Sequence, residues 1–444
     1  MKYDSRMKIN MTEKTSVEKT WKAYLNKIEP ADRTAMELAK KRWNSVAKPI
    51  GSLGILEEDI IKIAGIRGNA SGMKLDRSAL AVMCADHGVV AEGVSQTGKD
   101  VTRIVAENFT KGETSTSKMC RISGTDLYPV DMGMDYEPTG QKEPDMHRIL
   151  DRKVARGSGN IAREPAMSRT GCLQALLSGM DLAFRLKEMG YEILAAGEMG
   201  IGNTTPAAAM SAVLTGLSPE EATGRGAGLS DAGLEKKKKA VEMAVSRFYE
   251  KYPEYRNGTK EQYESGELSA MTVLAELGGF DLAGMTGLFL GGAAAKIPVL
   301  MDGFLSTVSG LLAVLIRKEA KDYMLASHIS TEPAGAAVLQ MLDLPAPLHM
   351  GMHLGEGSGA VAMIPLLRMG AKVYEEMSTF SDISVEQYVD YQEKGEYAWI
   401  LHICTFIQNT VCWMDQIRSR NMWQESRNWA WTVQRSLTMV SCMV

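Results

Sequence analysis

Two glutamates stand in glycine-rich turns far apart in the chain. Glu198 lies in GEMGIGNTTPAAAM (197–210) and Glu356 in LHMGMHLGEGSGAVAMIPLLRMG (348–370). Each turn follows an apolar run that reads as a strand, YEILAA (191–196) in the first case, and leads into a helix. Thr205 is placed to cap the first helix and Pro206 to occupy its first position. Gly200 and Gly202 admit backbone conformations that a Cβ would hinder, and a helix N-terminus with free N–H groups is an anion site. A carboxylate beside a phosphate cradle repels the phosphate. It therefore needs another task, such as handling a proton or a cationic nitrogen, although a Glu that only bonds the turn's own N–H groups is an equal alternative. Two carboxylates delivered to one phosphate-binding site suit chemistry at a sugar anomeric carbon. There positive charge develops on the ring and the nucleophile must lose a proton.

Other polar residues fall at predicted strand ends, where open α/β sheets place their ligands. Asp86-His87-Gly88 closes the strand within SALAVMCADHGVVAEGVS (78–95), and Asp302-Gly303 closes IPVLMD. A metal reading of Asp86 and His87 lacks a partner ligand. His349 and His353 have zinc-helix spacing but fall on a predicted strand. Lys48, beside a Pro/Gly turn, could reach a phosphate or be solvated. Of the four lysines 236–239, one or two at most can face a ligand. Gly355, Gly357 and Ala360 match G-x-G-x-x-A, so an NAD-dependent dehydrogenase is one rival reading. Against it, Glu356 would confront the pyrophosphate and no acidic strand end follows at about twenty residues. A non-catalytic phosphoribosyl-binding module is the second rival.

The elements that must position these residues read as an α/β protein. The chain has 444 residues with a formal charge of −4, which argues against nucleic-acid binding. Six cysteines without a C-x-x-C pair indicate neither a zinc ribbon nor a disulfide framework. A polar N-terminus and apolar runs too short to span a bilayer point to a cytoplasmic protein. Residues 17–47 read as two surface helices, and a third starts near Ser52 with Leu53 and Leu56 inward. Strands follow within 78–95, ending at Asp86-His87-Gly88, and in 125–134, with a helix at 101–109 between them. Residues 135–155 read as a surface excursion and 157–190 as a loop and long helix. Residues 223–245 read as a glycine loop and lysine-rich helix, and 246–267 as a polar linker. Residues 268–316 read as core, including a small-residue helix that neighbours can approach closely. Another strand is expected in 323–333, and Pro365 should kink or interrupt the last helix.

KPIGSLG, ADHGVVAEGVS, GSGNIAREPAMSR, GEMGIGNTTPAAA, GRGAGLSDAGL, ELGGFDLAG, VLMDGFLST, ASHISTEP and LGEGSGAVAMIPLLR occur in that order. Over residues 17 to 390 or so they closely resemble the nicotinate-nucleotide–dimethylbenzimidazole phosphoribosyltransferases. The resemblance implies a parallel, Rossmann-like sheet flanked by helices (78–370) and a smaller helical domain from both chain ends (17–77 and 371–390). It implies a homodimer that needs no metal or other cofactor. The reaction moves phosphoribosyl from nicotinate mononucleotide to a benzimidazole nitrogen, with inversion at C1′ and release of nicotinate. It casts Glu356 as general base, Glu198 and Gly200 as nucleotide contacts, and Lys237 and Asp302 as site residues. Glu198 is expected to be catalytic with Glu356, and Gly202, Asn203, Gly303, Gly355, Gly357 and Asp86 are further expected substrate-binding residues. Ser330 is expected at the nucleotide and Ser95 at the acceptor base. Where relatives often carry an aromatic-Pro pair this chain reads SQTGKDVTR (95–103), which leaves the acceptor open among benzimidazoles, purines and phenols. Residues 1–16 read as disordered. Residues 391–444 hold five of seven tryptophans and three of six cysteines, a composition break. They read as an out-of-frame or truncated extension, with Ile403, Ile407, Val411, Met414 and Ile417 able to form an amphipathic helix.

Overall fold

SALAVMCA carries no charge and alternates between two apolar faces, so it can be buried only where helices cover both sides of a sheet. In the computed structural model, which describes residues 14–137 and 139–389, all eight of these residues are buried and form β1 (Ser78–Ala85). The other strands are β2 (Thr125–Gly133), β3 (Leu150–Asp151), β4 (Ile193–Met199), β5 (Val299–Met301) and β6 (Met324–Ala326). The sheet order is β3-β2-β1-β4-β5-β6, and every pairing is parallel. That is the doubly wound Rossmann order. Its direction reverses between β1 and β4, which opens a crevice at their carboxyl ends. The described residues up to Ile383 belong to one compact unit.

Alternate β1 side chains feed two cores. Ala79, Ala81, Met83 and Ala85 join the core containing helices Arg169–Glu188 and Phe280–Ala295. Leu80, Val82 and Cys84 join the core of helices Ile55–Arg67 and Ser358–Glu376. The small-residue helix Phe280–Ala295 packs as expected: a Cβ on Gly291 would lie 2.6 Å from the Met180 Cα. Residues 43–46 and 374–379 meet as well. Trp43 stacks edge-on against Tyr374 at 5.1 Å, and Val46 bridges Thr379 antiparallel.

Several local expectations give way to tertiary context. Residues 135–155 are more than an excursion, since Leu150–Asp151 pairs with β2 as an edge strand. Residues 246–267 are no polar linker: the helix Asp231–Lys251 runs into them, and Phe248, Tyr255 and Tyr263 are buried. The run before Glu356 is not a strand. It makes one isolated bridge, Leu348 to His328, and leaves Met350 and Leu354 exposed, so His349 and His353 lie on irregular chain. The helix after Gly200 starts at Thr204 with Asn203 before it, and the buried Thr205 hydroxyl caps nothing. Leu53 precedes the third helix, which starts at Ile55, and is exposed. The last helix continues through Pro365 to Glu376. Lys48 is engaged by Glu57 at 2.5 Å and lies over the Trp43 ring, so it is neither solvated nor free for a phosphate. Residues 14–16 begin the helix Lys14–Leu25. The expectations for residues 1–13 and 391–444 fall outside the described residues.

Candidate active site

Glu198 is the last but one residue of β4, beside the crevice between β1 and β4. Gly197 precedes it because the turn carrying Glu356 lies directly against this strand. A Cβ on Gly197 would sit 2.7 Å from the Glu356 carbonyl oxygen and 3.0 Å from the Gly357 nitrogen. A Cβ on Gly355 would strike Glu198 Oε1. The two turns foreseen as separate carriers of a carboxylate are therefore in contact.

Gly355, Glu356 and Gly357 are consecutive left-handed residues, with φ of +81°, +60° and +83°. Glycine adopts this region freely, whereas for a glutamate it costs about 1–2 kcal/mol. Asp302, at the end of β5, holds the turn in place. Its Oδ2 accepts the Gly357 N–H at 3.0 Å and its Oδ1 the Gly359 N–H at 2.6 Å. Burial pushes the Asp302 carboxyl up to about 6, against the opposing pull of these and neighbouring amides. The same bonds disfavour a dinucleotide at 355–360, because the amides a pyrophosphate would need are already used.

Around Glu198 the residues are buried and polar. Asn203 Nδ2 donates to Glu198 Oε2 and, at 3.1 Å, to Asp281 Oδ2. His87 Nε2 lies 3.1 Å from both Asp281 oxygens. Burial raises the Glu198 carboxyl to about 8, with Asp281 adding to the rise and Asn203 opposing it. Glu356 is also pushed up by burial, opposed by Thr116 on the facing helix Ser115–Ser123, and its Oε2 has no hydrogen-bond partner.

A second cluster borders the start of the helix Thr204–Thr215. Lys237 is fully buried, unlike its three neighbours in the lysine run, and donates to Thr204 Oγ1 and the Gly224 carbonyl, each at 2.8 Å. Burial lowers its ammonium to about 8. Gly226 donates its N–H to Glu332 at 2.9 Å. Gly202, at φ +88°, has no room for a Cβ beside Val90, and Gly200 none beside the Ala85 carbonyl. A backbone turn, helix amides and one ammonium thus surround a place suited to an anion.

The remaining candidates lie around this centre. Gly303 follows Asp302 and packs near His328 and Ser330, whose hydroxyl accepts the Glu332 N–H at 3.3 Å. Asp86 accepts the Asp135 N–H at 2.7 Å, leaves its other oxygen unpartnered and is pushed up by burial. Ser95 bonds its own loop through the Thr97 N–H, and no contact joins it to either glutamate. Sequence reasoning overlooked Asp281, Thr116 and Glu332, and placed His87 at a ligand-facing strand end without a role of its own. The first was legible only as part of ELGGFDLAG. Among the described residues no group of three or more His, Cys, Asp and Glu side chains is arranged to hold a metal.

Residues 28–385 match a family described as Phosphoribosyltransferase. A nicotinate-nucleotide–dimethylbenzimidazole phosphoribosyltransferase of Ruminiclostridium cellulolyticum is 37% identical over 83% of this chain and 99% of its own. The chain belongs to this phosphoribosyltransferase family. The enzyme of the same name from Acetivibrio thermocellus is 38% identical over 82% of this chain and 97% of its own. The crystal structure of CobT from Thermus thermophilus superposes with a TM-score of 0.71 at 37% identity, covering 80% of this chain and 100% of that one. For a phosphoribosyltransferase of this family, the parallel sheet and the glycine turns at its carboxyl edge are the expected frame. No described helix is long and apolar enough to cross a membrane.

Proposed function

We propose that this chain transfers the phosphoribosyl group of nicotinate mononucleotide to 5,6-dimethylbenzimidazole or a related base, giving α-ribazole 5′-phosphate and nicotinate in cobalamin biosynthesis. The observation that carries the reading is the contact of the 355–357 turn with the end of β4, close enough for Glu356 to help raise the Glu198 carboxyl, which supports one site served by both. The lone pair of one azole nitrogen attacks C1′ from the face opposite the leaving base. The glycosidic C1′–N bond breaks, and its electron pair neutralises the pyridinium nitrogen, so no general acid is required to expel nicotinate. The other azole nitrogen then carries an acidic N–H, whose proton passes to Glu356. The unpartnered Oε2 of Glu356 suits that role.

Glu198, more enclosed and flanked by Asp281, is the carboxyl that retains a proton near neutrality. Adjacent like charges favour such a division of protonation states. Lys237 and the amides of Gly202, Thr204, Gly224 and Arg225 would receive the 5′-phosphate, supplying remote binding energy for the displacement. Asp302 acts through the Glu356 turn. Gly303 and Ser330 border the nucleotide side, and Asp86 and Ser95 the acceptor side.

The same reading includes a homodimer in the cytoplasm, with residues 17–77 and 371–390 as the smaller helical part. The contact between residues 43–46 and 374–379 supports that last division. The free, buried Cys84, Cys120 and Cys172 suit a reducing compartment. Glu356→Gln tests the reaction. Nicotinate release, followed by chromatography with both substrates present, should fall by about 100-fold or more while nucleotide affinity changes little. Unchanged turnover would remove Glu356 as the base.

A further inference from the structure

Three motifs that supply no reacting group to the proposed transfer, ADHGVV, GSGNIAREPAMSR and ELGGFDLAG, converge behind Glu198. Backbone bonds tie them together. Gly88 donates to the Ser158 carbonyl at 3.0 Å, Ser158 to Asp86 at 2.9 Å, Ala166 to Glu276 at 3.1 Å and Met167 to Ala275 at 2.9 Å. Inside this frame His87 and Asp281 are buried, and the His87 ring leaves no room for a Cβ on Gly279. His87 Nδ1 lies 3.4 Å from Ser158 Oγ, and its Nε2 faces the Asp281 carboxylate. The Glu198 turn rests on this pair, since a Cβ on Gly200 would sit 2.9 Å from Asp281 Oδ2 and 3.1 Å from His87 Nε2.

Asp281 Oδ1 accepts the Leu282 N–H at 2.9 Å, and its Oδ2 accepts from Asn203 Nδ2. That nitrogen has two hydrogens, and the other goes to Glu198 Oε2. The carboxamide presents its NH2 to both acids: Asp281 Oδ2 accepts one hydrogen, and the carbonyl oxygen that a protonated Glu198 retains accepts the other. Its orientation fixes one oxygen of Glu198 and leaves Oε1 against Gly355.

We propose that His87 and Asp281 are positioning residues for the phosphoribosyl transfer: through Asn203 they set the rotamer of Glu198 and hold its free oxygen toward the turn that carries Glu356. The inference rests on the reading that Glu198 faces the bound ribose. A network that only stabilised the fold would have the same hydrogen bonds, so the test must separate the two. Asn203→Ala and Asp281→Asn are made in the parent protein and again in Glu198→Ala. Misplacement of a reacting group by about 1 Å costs up to about 100-fold, so each change should lower kcat by about 10- to 100-fold in the parent. The KM for nicotinate mononucleotide should stay within about threefold, because neither substitution removes a backbone amide or the Lys237 ammonium assigned to the phosphate. In Glu198→Ala neither change should lower kcat further, since their effect passes through the missing side chain. His87→Gln, which retains a donor toward Asp281, should keep more activity than His87→Ala.

Equal fractional losses in both backgrounds would overturn the proposal, as would full kcat in Asn203→Ala and Asp281→Asn. Asn203 makes no side-chain cap bond to its helix, so its truncation keeps the test open if the Asp281 variant does not fold. If Glu198→Ala alone retained parental kcat, the assignment of Glu198 itself would fail, and that single variant identifies which reading was wrong.

Discussion

Glu198 gives folding a pH dependence whose sign follows from its surroundings. Its carboxyl is held at about 8, against 4.5 for the ordinary side chain, first by burial and then by Asp281, with Asn203 opposing. Between these values the folded protein keeps a proton that the unfolded chain has released. This contribution is therefore fully present below 4.5 and is lost as pH rises through about 8. One such proton changes stability by on the order of 1 kcal/mol per pH unit. Asp59, raised by burial to about 7, and Asp302, raised to about 6, slope the same way, so the parent curve alone does not isolate Glu198. Lys237, lowered to about 8, acts only above that pH and with the opposite sign. Glu198→Gln copies the shape of the neutral carboxyl, can offer its oxygen to Asn203, and does not titrate. Relative to the parent, the variant should gain on the order of 1 kcal/mol per pH unit between about pH 5 and pH 8. Urea unfolding of both proteins at stepped pH and constant ionic strength measures the difference. Parallel curves over that range would refute the claim that Glu198 folds with a proton.

Asp302→Asn should weaken the Glu356 turn, because a carboxamide offers one acceptor oxygen to the two amides of Gly357 and Gly359. Hydrogen bonds to a charged acceptor are worth about 1.5–3 kcal/mol, so a stability loss of about 1–3 kcal/mol by denaturant unfolding is expected. It should be joined by a fall in kcat larger than any change in nucleotide affinity. Lys237→Met should lower affinity for nicotinate mononucleotide about 10- to 100-fold by calorimetry, while leaving affinity for the phosphate-free riboside nearly unchanged. An equal loss for both ligands would place the 5′-phosphate elsewhere.

The β1 run, the turn after β4 and the acid ending β5 were legible because each is local. An uncharged alternating octet must be buried on both faces, and glycines after an apolar run mark a tight strand exit. The strand expected before Glu356 was not, because its apolar residues have only one bridge to pair with and Met350 and Leu354 face outward. Pro365 does not interrupt its helix: packing against Ile55–Arg67 carries the helix on through it.

By itself the sequence determined the α/β class, the family and the two carboxylates, since composition, periodicity and ordered motifs are properties of the chain read along its length. Only the tertiary structure decided what each charge faces. Asp281 and His87 face each other because the β1 and Phe280–Ala295 loops meet behind Glu198. Lys237 differs from its three neighbours only because its side of the helix is buried. Electrostatic character depends on burial and on partners within a few ångströms, and residues far apart in the chain supply both.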